Sequence, residues 1–194
     1  MGNKLEKKEN IIKAAQKLFA KFGLSKTTID DIAREAHMGK ASIYYYFKSK
    51  ESIYKEVIDL EGKILQEKIL ADVSNKTTPQ EKIRTYSLTR MTEIKELANY
   101  YSAIKDEYLD HYSFITKARQ SFDVFETTLM ATILQEGVQK DIFEIEDIAL
   151  TAEAIVGALK GLEYRWTIEM PMDEIQNSID TLLKILFRGI EKRS

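Results

Sequence analysis

The sequence predicts an all-α protein of about nine helices. Only 2 Pro and 8 Gly occur in 194 residues, so few positions interrupt a helix. Apolar residues recur every three or four positions over long stretches, which is the period of a helix with one buried face. No stretch shows the regular alternation of apolar and polar residues that indicates a half-buried strand.

Two helices are predicted near the N-terminus. The first ends near Phe22, where Gly23 suits a left-handed C-terminal cap. Its apolar stripe consists of Ile11, Ala14, Ala15, Leu18, Phe19 and Phe22. The second begins behind Thr28, whose hydroxyl can cap the helix while Asp31 stands three residues further on. The residues that it is predicted to bury are Ile29, Ile32, Ala33 and Ala36.

A third, short helix follows a turn that contains Gly39. Ile43 and Phe47 lie four residues apart and are predicted to anchor this helix inward. Three adjacent tyrosines cannot all face one side of a helix, which leaves Tyr44 open between a core ring and an exposed one. The residues predicted to remain outside are Lys40, Ser42, Tyr45 and Tyr46. This pattern is typical of the second helix of a DNA-reading helix-turn-helix.

Basic residues concentrate in this part of the chain. The formal net charge of the whole chain is −2, but residues 1–55 contain 12 Lys and Arg against 6 Asp and Glu. Because DNA phosphates attract such a surface, the bias favours a double-stranded DNA partner. A merely solvated basic face is the alternative. Lys40 and Ser42 are placed to reach base edges or phosphates, and Lys48 and Lys50 add charge for the DNA backbone.

The N-terminal motif of TetR-family transcriptional regulators closely resembles residues 27–54, which read TTIDDIAREAHMGKASIYYYFKSKESIY. The resemblance implies a helix-turn-helix DNA-binding domain over residues 1–50 and a helical ligand-binding and dimerisation domain over 51–194. By position, it also implies DNA contacts from Thr28, Lys40, Ala41, Ser42, Tyr44, Tyr45, Tyr46 and Lys50. His37 departs from the motif, since Gly is usual there, and either a left-handed or an adjusted turn is expected at this residue. Gly39 stands where Ser or Thr often caps the recognition helix, so no side-chain cap is expected.

Further helices are predicted behind this motif. One runs from Lys50, behind a Ser49 cap, to Val73, and its apolar positions are Ile53, Tyr54, Val57, Ile58, Ile64, Leu65 and Ile69. Thr78-Pro79-Gln80-Glu81 has the order of a helix start, and the helix behind it extends towards Asn99. An aromatic-rich helix to Tyr112 and another over residues 114–139 follow. Two final helices are split by Met170-Pro171-Met172, with Asp173 as the expected cap.

The last two helices are predicted to form half of an intermolecular four-helix bundle in a homodimer. The first of them carries small residues three or four apart, which allow another helix to approach closely. The predicted interface consists of Ala154, Gly157, Ala158, Gly161, Ile175, Ile179, Leu182, Leu183 and Leu186. Tight packing within one subunit is the alternative reading of this pattern.

Aromatic residues in the middle and late helices suit either an ordinary core or an apolar pocket for a small molecule. Because TetR-family proteins generally hold an inducer in this domain, the resemblance favours a pocket. The candidate ligand-binding residues are Tyr86, Tyr108, His111, Phe122, Phe125, Glu163, Tyr164 and Trp166. Glu163 and Arg165 flank Tyr164, and either orient a polar ligand group or pair with each other.

The hypothesis that follows is a repressor that binds a pseudo-palindromic operator as a homodimer and is released by a small hydrophobic ligand. The alternatives are a regulator of the same fold that answers to a protein partner or to no effector, and a helical enzyme acting on a hydrophobic metabolite.

No catalysis, cofactor or metal is expected, because the chain has two His, no Cys and no glycine-rich phosphate loop. The best metal candidate is the pair Glu107 and His111, for which a solvated acidic helix end is the simpler reading. The absence of Cys rules out disulfides. With no apolar N-terminal run and no membrane span, the expected compartment is the cytoplasm.

Overall fold

The computed structural model describes residues 2–97, 99, 100, 102 and 113–191. Within these residues the chain forms eight α-helices and one isolated bridge, between Phe143 and Glu191, so the all-α prediction is confirmed. The helices are α1 (Gly2–Lys26), α2 (Ile29–Glu35), α3 (Lys40–Tyr46), α4 (Lys50–Ser74), α5 (Pro79–Glu96), α6 (Ser113–Gln139), α7 (Ile148–Tyr164) and α8 (Met172–Ile190). A π-helical segment, Arg165–Glu169, follows α7. None of the described helices combines the length and apolar character that a bilayer crossing needs.

The chain divides into two compact units. The first unit comprises Met1–Gly62 and Leu97–Gln120, and the second comprises Lys63–Glu96 and Ser121–Ser194. Helices α4 and α6 each contribute residues to both units. The division of function at residue 50 stays a prediction, as does the aromatic-rich helix to Tyr112, which lies largely outside the described residues.

The first unit packs α1, α2 and α3 against the start of α4. Phe19 of α1 and Tyr54 of α4 meet edge to face, with ring centroids 5.1 Å apart. The other fully buried apolar side chains around them include Ile11, Ala15, Ile32, Ile43, Ile53 and Val57. The predicted buried faces of these helices are therefore confirmed at most positions.

A buried carboxylate also holds this unit together. Glu61 of α4 accepts hydrogen bonds from the Gln16 side chain at 3.0 Å, the Asn99 side chain at 2.6 Å and the backbone N–H of Tyr100 at 2.8 Å. These bonds connect α1 and α4 to the segment that follows α5. A buried carboxylate is tolerated only when hydrogen bonds replace its water.

The predicted end of the first helix is confirmed, whereas two apolar positions predicted on buried faces are exposed. Gly23 breaks helical geometry, with φ 77° and ψ 165°, and a short helical turn then extends α1 to Lys26. Phe22 is 47% exposed rather than buried; it stands at the break in the helix, and the Lys21 ammonium lies 5.1 Å from its ring centroid. Ile64 is 42% exposed, because it lies about 100° around α4 from the buried Leu65.

The second unit contains α5, α7, α8 and parts of α4 and α6. Thr78 caps α5 as predicted: its hydroxyl accepts from the backbone N–H of Glu81 at 3.2 Å, and the Glu81 carboxylate accepts from the backbone N–H of Thr78 at 3.1 Å. The cap expected at Asp173 is wrong. The extended Pro171, with φ −73° and ψ 160°, precedes the first helical residue, so Asp173 lies inside the first turn of α8.

Candidate nucleic-acid interface

Thr28 opens α2 with a reciprocal capping box. Its hydroxyl accepts from the backbone N–H of Asp31 at 3.2 Å, and the Asp31 carboxylate accepts from the backbone N–H of Thr28 at 3.1 Å. The Thr28 hydroxyl also donates to this carboxylate at 2.6 Å. These hydrogen bonds hold the pKa of Asp31 below its ordinary value. The predicted cap is confirmed, and it fixes an exposed Thr28 at the start of the motif.

The turn between α2 and α3 is a Schellman motif. The backbone N–H of Met38 donates to the carbonyl of Ala33 at 2.8 Å, and that of His37 donates to the carbonyl of Arg34 at 3.2 Å. This pattern requires a left-handed residue after the helix, and His37 takes that role with φ 54°. The expected left-handed turn at His37 is therefore confirmed.

Glycine should relieve strain at this position. We expect His37→Gly to raise the free energy of unfolding by about 0.5–1 kcal/mol, because glycine has no Cβ to clash in the left-handed region. The greater conformational entropy of glycine in the unfolded chain offsets part of this gain. Urea denaturation followed by circular dichroism measures the change. His37→Ala keeps a Cβ and should bring no gain. A His37→Gly variant no more stable than the wild type would show that the left-handed residue costs nothing here.

Helix α3 presents one face to the core and one to solvent. Ile43 and Phe47 are buried, as predicted, and α3 packs beside α2 in the first unit. Gly39 precedes α3 in an extended conformation and supplies no side-chain cap. Lys40, Ala41 and Ser42 are all exposed at the start of the helix.

The three tyrosines divide between solvent and partial burial. Tyr44 is exposed, which settles the orientation that the sequence left open. Tyr45 is 70% exposed, and Tyr46 is half-buried. The rings of Tyr45 and Tyr46 meet edge to face, with centroids 5.0 Å apart. Two phenol rings therefore project from the exposed face of α3, with a third beside them.

The lysines around α3 differ in their partners. Lys40 Nζ lies 2.8 Å from Asp30 Oδ2, and this hydrogen bond raises the pKa of Lys40. Both groups of this pair are exposed, so water and salt weaken it and a phosphate can replace the carboxylate. Lys50 Nζ approaches the carbonyl of Ser25 at 3.5 Å. Lys48 is exposed and has no ion-pair partner in the described part of the chain.

Comparison with known proteins identifies this arrangement. Residues 11–57 match the model of the bacterial regulatory proteins of the tetR family. The HTH-type transcriptional regulator QacR of Staphylococcus aureus is 23% identical over 95% of this chain and 98% of its own length. A crystal structure of a transcriptional regulator from Cytophaga hutchinsonii is 28% identical, with a TM-score of 0.76 over 95% of this chain and 98% of that one. The chain is a TetR-family transcriptional regulator.

A further relative matches over a shorter stretch. IcaR of Staphylococcus aureus, the HTH-type negative transcriptional regulator of the biofilm operon icaADBC, is 47% identical over 51 residues, which are 26% of this chain and 27% of IcaR. The relatives of this TetR-family regulator are transcriptional regulators rather than enzymes. The regulator is therefore a DNA-binding protein of the helix-turn-helix class.

The second unit of this TetR-family regulator contains a fully buried arginine. Arg90 of α5 donates hydrogen bonds to Glu126 of α6 and to Glu163 of α7. Tyr86, one helical turn before Arg90, donates its hydroxyl to Glu126 Oε1 at 2.5 Å. We call these four buried residues the buried charge cluster. The cluster joins three helices of the second unit.

Burial and neighbouring charge set the protonation of this cluster. Burial raises the pKa of Tyr86 well above its ordinary value, and the negative charge of Glu126 adds to the effect. Burial by itself would lower the pKa of Arg90, but the charges of Glu126 and Glu163 outweigh it and raise this pKa. Tyr86 is therefore a neutral hydrogen-bond donor, and Arg90 is a cation that balances one of two carboxylates.

The cluster contains two of the predicted ligand residues, Tyr86 and Glu163. The predicted pairing of Glu163 with Arg165 is wrong, because Arg165 is exposed and Glu163 binds Arg90. The sequence analysis missed Arg90 and Glu126. Each of them is a charged residue on an otherwise apolar helical face, and that break in the pattern is the signal that could have found them.

The remaining candidate ligand residues are distributed around this unit. Phe122 and Phe125 are neighbours, with ring centroids 5.8 Å apart. Trp166 is buried in the π-helical segment, and Tyr164 is half-buried just before it. Such π-helical turns are frequent at functional sites. Tyr108, His111 and the candidate metal ligand Glu107 lie outside the described residues.

One face of α7 exposes small side chains to solvent. The exposed residues are Ala154, Gly157, Ala158 and Gly161. A Cβ atom added to Gly157 or Gly161 would meet no other atom within 4 Å. Packing inside the chain therefore does not require glycine at either position.

An apolar groove of about 310 Å³ lies between α7 and α8 beside these residues. Its lining residues are Leu150, Thr151, Ala154, Ile155, Ala158, Leu159, Leu182, Leu183 and Leu186. Ile185 was not among the predicted interface residues, yet it is an apolar side chain of α8 that is 66% exposed. Three predicted interface residues, Ile175, Ile179 and Leu183, are buried within the single chain, on the side of α8 that packs in the second unit, and Leu183 also lines the groove.

Proposed function

We propose that this TetR-family regulator is a homodimeric repressor that binds a pseudo-palindromic operator in the cytoplasm. The observation that carries the proposal is the exposed face of α3, where tyrosine and lysine side chains project from a helix anchored by Ile43 and Phe47. Recognition helices of this kind enter the major groove with their exposed face. That IcaR is a negative regulator supports repression.

The DNA contacts proposed for each residue follow from its chemistry. Lys40 and Ser42 reach base edges, and the methyl group of Ala41 provides an apolar contact. The residues proposed to bind the phosphate backbone are Thr28, Tyr44, Tyr45, Tyr46, Lys48 and Lys50. To reach DNA, Lys40 exchanges its Asp30 partner for a base or a phosphate.

The double variant Tyr45→Ala/Lys50→Ala tests the proposed interface. We expect it to reduce operator affinity by about 100-fold or more, because each dimer loses two tyrosine and two lysine contacts with phosphates. The probe is a duplex that the wild-type protein selects from a random-sequence pool, and fluorescence anisotropy gives the dissociation constant.

A lysine on another helix supplies the control. Lys13 is exposed on α1, and Lys13→Ala should leave the affinity unchanged. The double variant should also keep the wild-type melting temperature and oligomeric state, since neither Tyr45 nor Lys50 belongs to the buried core. Unchanged operator affinity in a folded double variant would overturn the assignment of α3 as the reading helix.

The proposed dimer joins α7 and α8 of two copies through the small-residue face and the apolar groove. An exposed apolar surface of this kind marks a protein contact. A dimer presents two copies of α3, which must lie about 34 Å apart to enter successive major grooves. The two-fold symmetry of the pair is what makes the operator pseudo-palindromic.

The proposed effector is a small hydrophobic ligand held in the second unit. Phe122, Phe125 and Trp166 supply apolar surface, while Tyr86 and Glu163 supply polar groups. The ligand releases DNA only if it binds the DNA-free conformation more tightly than the DNA-bound one. Helix α4 continues from the helix-turn-helix into the second unit. A shift of α4 on ligand binding would therefore change the position of α3.

A further inference from the structure

Lysine side chains from the first turns of α1 approach the recognition helix. Helix α1 starts at Gly2, nine residues before the segment that matches the family model. Lys4 Nζ lies 5.1 Å from the ring centroid of Tyr45, which is a cation–π contact. The same ring meets Tyr46 edge to face. The most exposed tyrosine of α3 thus has one neighbour on its own helix and one on α1.

A second lysine fixes this end of α1 in place. Lys8 Nζ bonds Glu56 Oε1 at 2.6 Å and lies 5.6 Å from the ring centroid of Phe47. Lys4 and Lys8 are four residues apart, so they share one face of α1. The bond from Lys8 to α4 therefore holds Lys4 beside Tyr45.

The charge of Lys4 is available to a new partner. In the part of the chain that the structure describes, no carboxylate lies within ion-pair distance of Lys4, whereas Lys8 pairs with Glu56 and Lys40 pairs with Asp30. The Lys4 side chain is exposed. An ammonium group in this position can bind an anion without first breaking an ion pair.

We propose that Lys4 and Tyr45 form a joint binding site for one DNA phosphate. The ammonium orients the Tyr45 ring through the cation–π contact and binds the phosphate to which the Tyr45 hydroxyl donates. Lys4 is therefore both a DNA contact and a positioning residue for Tyr45. This inference rests on the proposed function of α3, and it extends the interface to a residue outside the matched segment.

The test measures how operator affinity depends on salt. A lost phosphate contact lowers the slope of log K against log of the salt concentration by about 0.9 per contact, so a Lys4→Ala dimer should lose about 1.8. We expect its affinity to fall by about 10-fold in 0.1 M KCl for the wild-type-selected duplex. Lys4→Arg keeps the charge and should restore both the slope and the affinity.

Lys13 provides the matched control for charge. It lies nine residues further along α1, which is 2.5 helical turns and hence the opposite side of the helix. Lys13→Ala removes the same charge and should leave the slope unchanged. Combining Lys4→Ala with Tyr45→Phe should cost less than the sum of the two single changes, because both act on one phosphate.

The outcomes separate this proposal from the proposed function. If Lys4→Ala kept the wild-type salt dependence, or if Lys13→Ala lowered the slope by the same amount, the role of Lys4 would be overturned. The double variant at Tyr45 and Lys50 would still test α3 independently. If Lys4→Ala lost affinity but kept the slope, Lys4 would act only on folding, and the proposed phosphate contact would also be overturned. Failure of the wild-type protein to enrich any duplex would contradict the proposed function itself, and the phosphate site with it.

Discussion

An Arg90→Met variant should lose about 3–5 kcal/mol of unfolding free energy, because it removes the cation that binds two buried carboxylates. Arg90 donates hydrogen bonds to both Glu126 and Glu163, and neither carboxylate is exposed to water that could replace these bonds. Methionine fills much of the arginine volume, so the loss reports charge pairing rather than a cavity. Urea denaturation and thermal melting, each followed by circular dichroism, measure the effect.

A second arginine on the same helix provides the control. Arg84 forms two hydrogen bonds with Asp180, at 2.6 and 2.9 Å, but both side chains are 42% exposed. Exposed pairs contribute at most about 1 kcal/mol, so Arg84→Met should be nearly neutral. The two variants carry the same substitution on the same helix, one at an exposed pair with a single carboxylate and the other at a buried cluster with two.

Neutralising the carboxylates should rescue the fold. In the triple variant Arg90→Met/Glu126→Gln/Glu163→Gln no charge remains in the buried charge cluster, and replacement of a whole buried ionic group is often neutral. We therefore expect the triple variant to be more stable than Arg90→Met alone. If Arg90→Met were within about 1 kcal/mol of the wild type, the carboxylates would have to be hydrated or protonated in the folded protein.

The cluster also constrains the proposed effector site. Tyr86 and Glu163 already have partners inside the protein, so a ligand that binds either group must replace an existing hydrogen bond. That exchange changes the contacts between α5, α6 and α7. Ligand binding at such a site would therefore be coupled to a change in how these helices pack.

Local features of this fold could be predicted from the sequence, because neighbouring residues determine them. The capping boxes at Thr28 and Thr78 each need only residues three apart, and the left-handed turn at His37 follows from the end of α2. The inward face of α3 was predictable for the same reason, since Ile43 and Phe47 are one turn apart.

Contacts between distant residues could not be predicted in the same way. Arg90 is 36 residues from Glu126 and 73 from Glu163, and no helical period connects them. The exposure of Phe22 depends on what packs beside the end of α1, which the apolar stripe does not encode. The contact between Lys4 and Tyr45 likewise depends on how α1 lies beside α3.

The proposed dimer leads to a second large effect. Ala158 lies on the exposed small-residue face of α7 and lines the apolar groove with Leu182 and Leu186. We expect Ala158→Arg to produce monomers, because a long cation cannot be buried in an apolar contact without a partner. Sedimentation velocity measures the change in mass. The variant should melt as a folded chain, since the side chain at 158 is exposed in the single subunit.

Loss of the dimer should weaken DNA binding, although the substitution leaves α3 unchanged. A dimer binds two half-sites as one particle, and linkage of two binding modules raises affinity by about 10²–10⁴-fold over either alone. Ala158→Arg should therefore lose at least about 100-fold in affinity for a two-half-site duplex and much less for a single half-site. Ala149 is exposed nine residues earlier, on the opposite side of α7, so Ala149→Arg should remain a dimer with wild-type affinity. An Ala158→Arg protein that stayed dimeric would place the subunit contact on another surface, and the small residues of α7 would then need a different explanation.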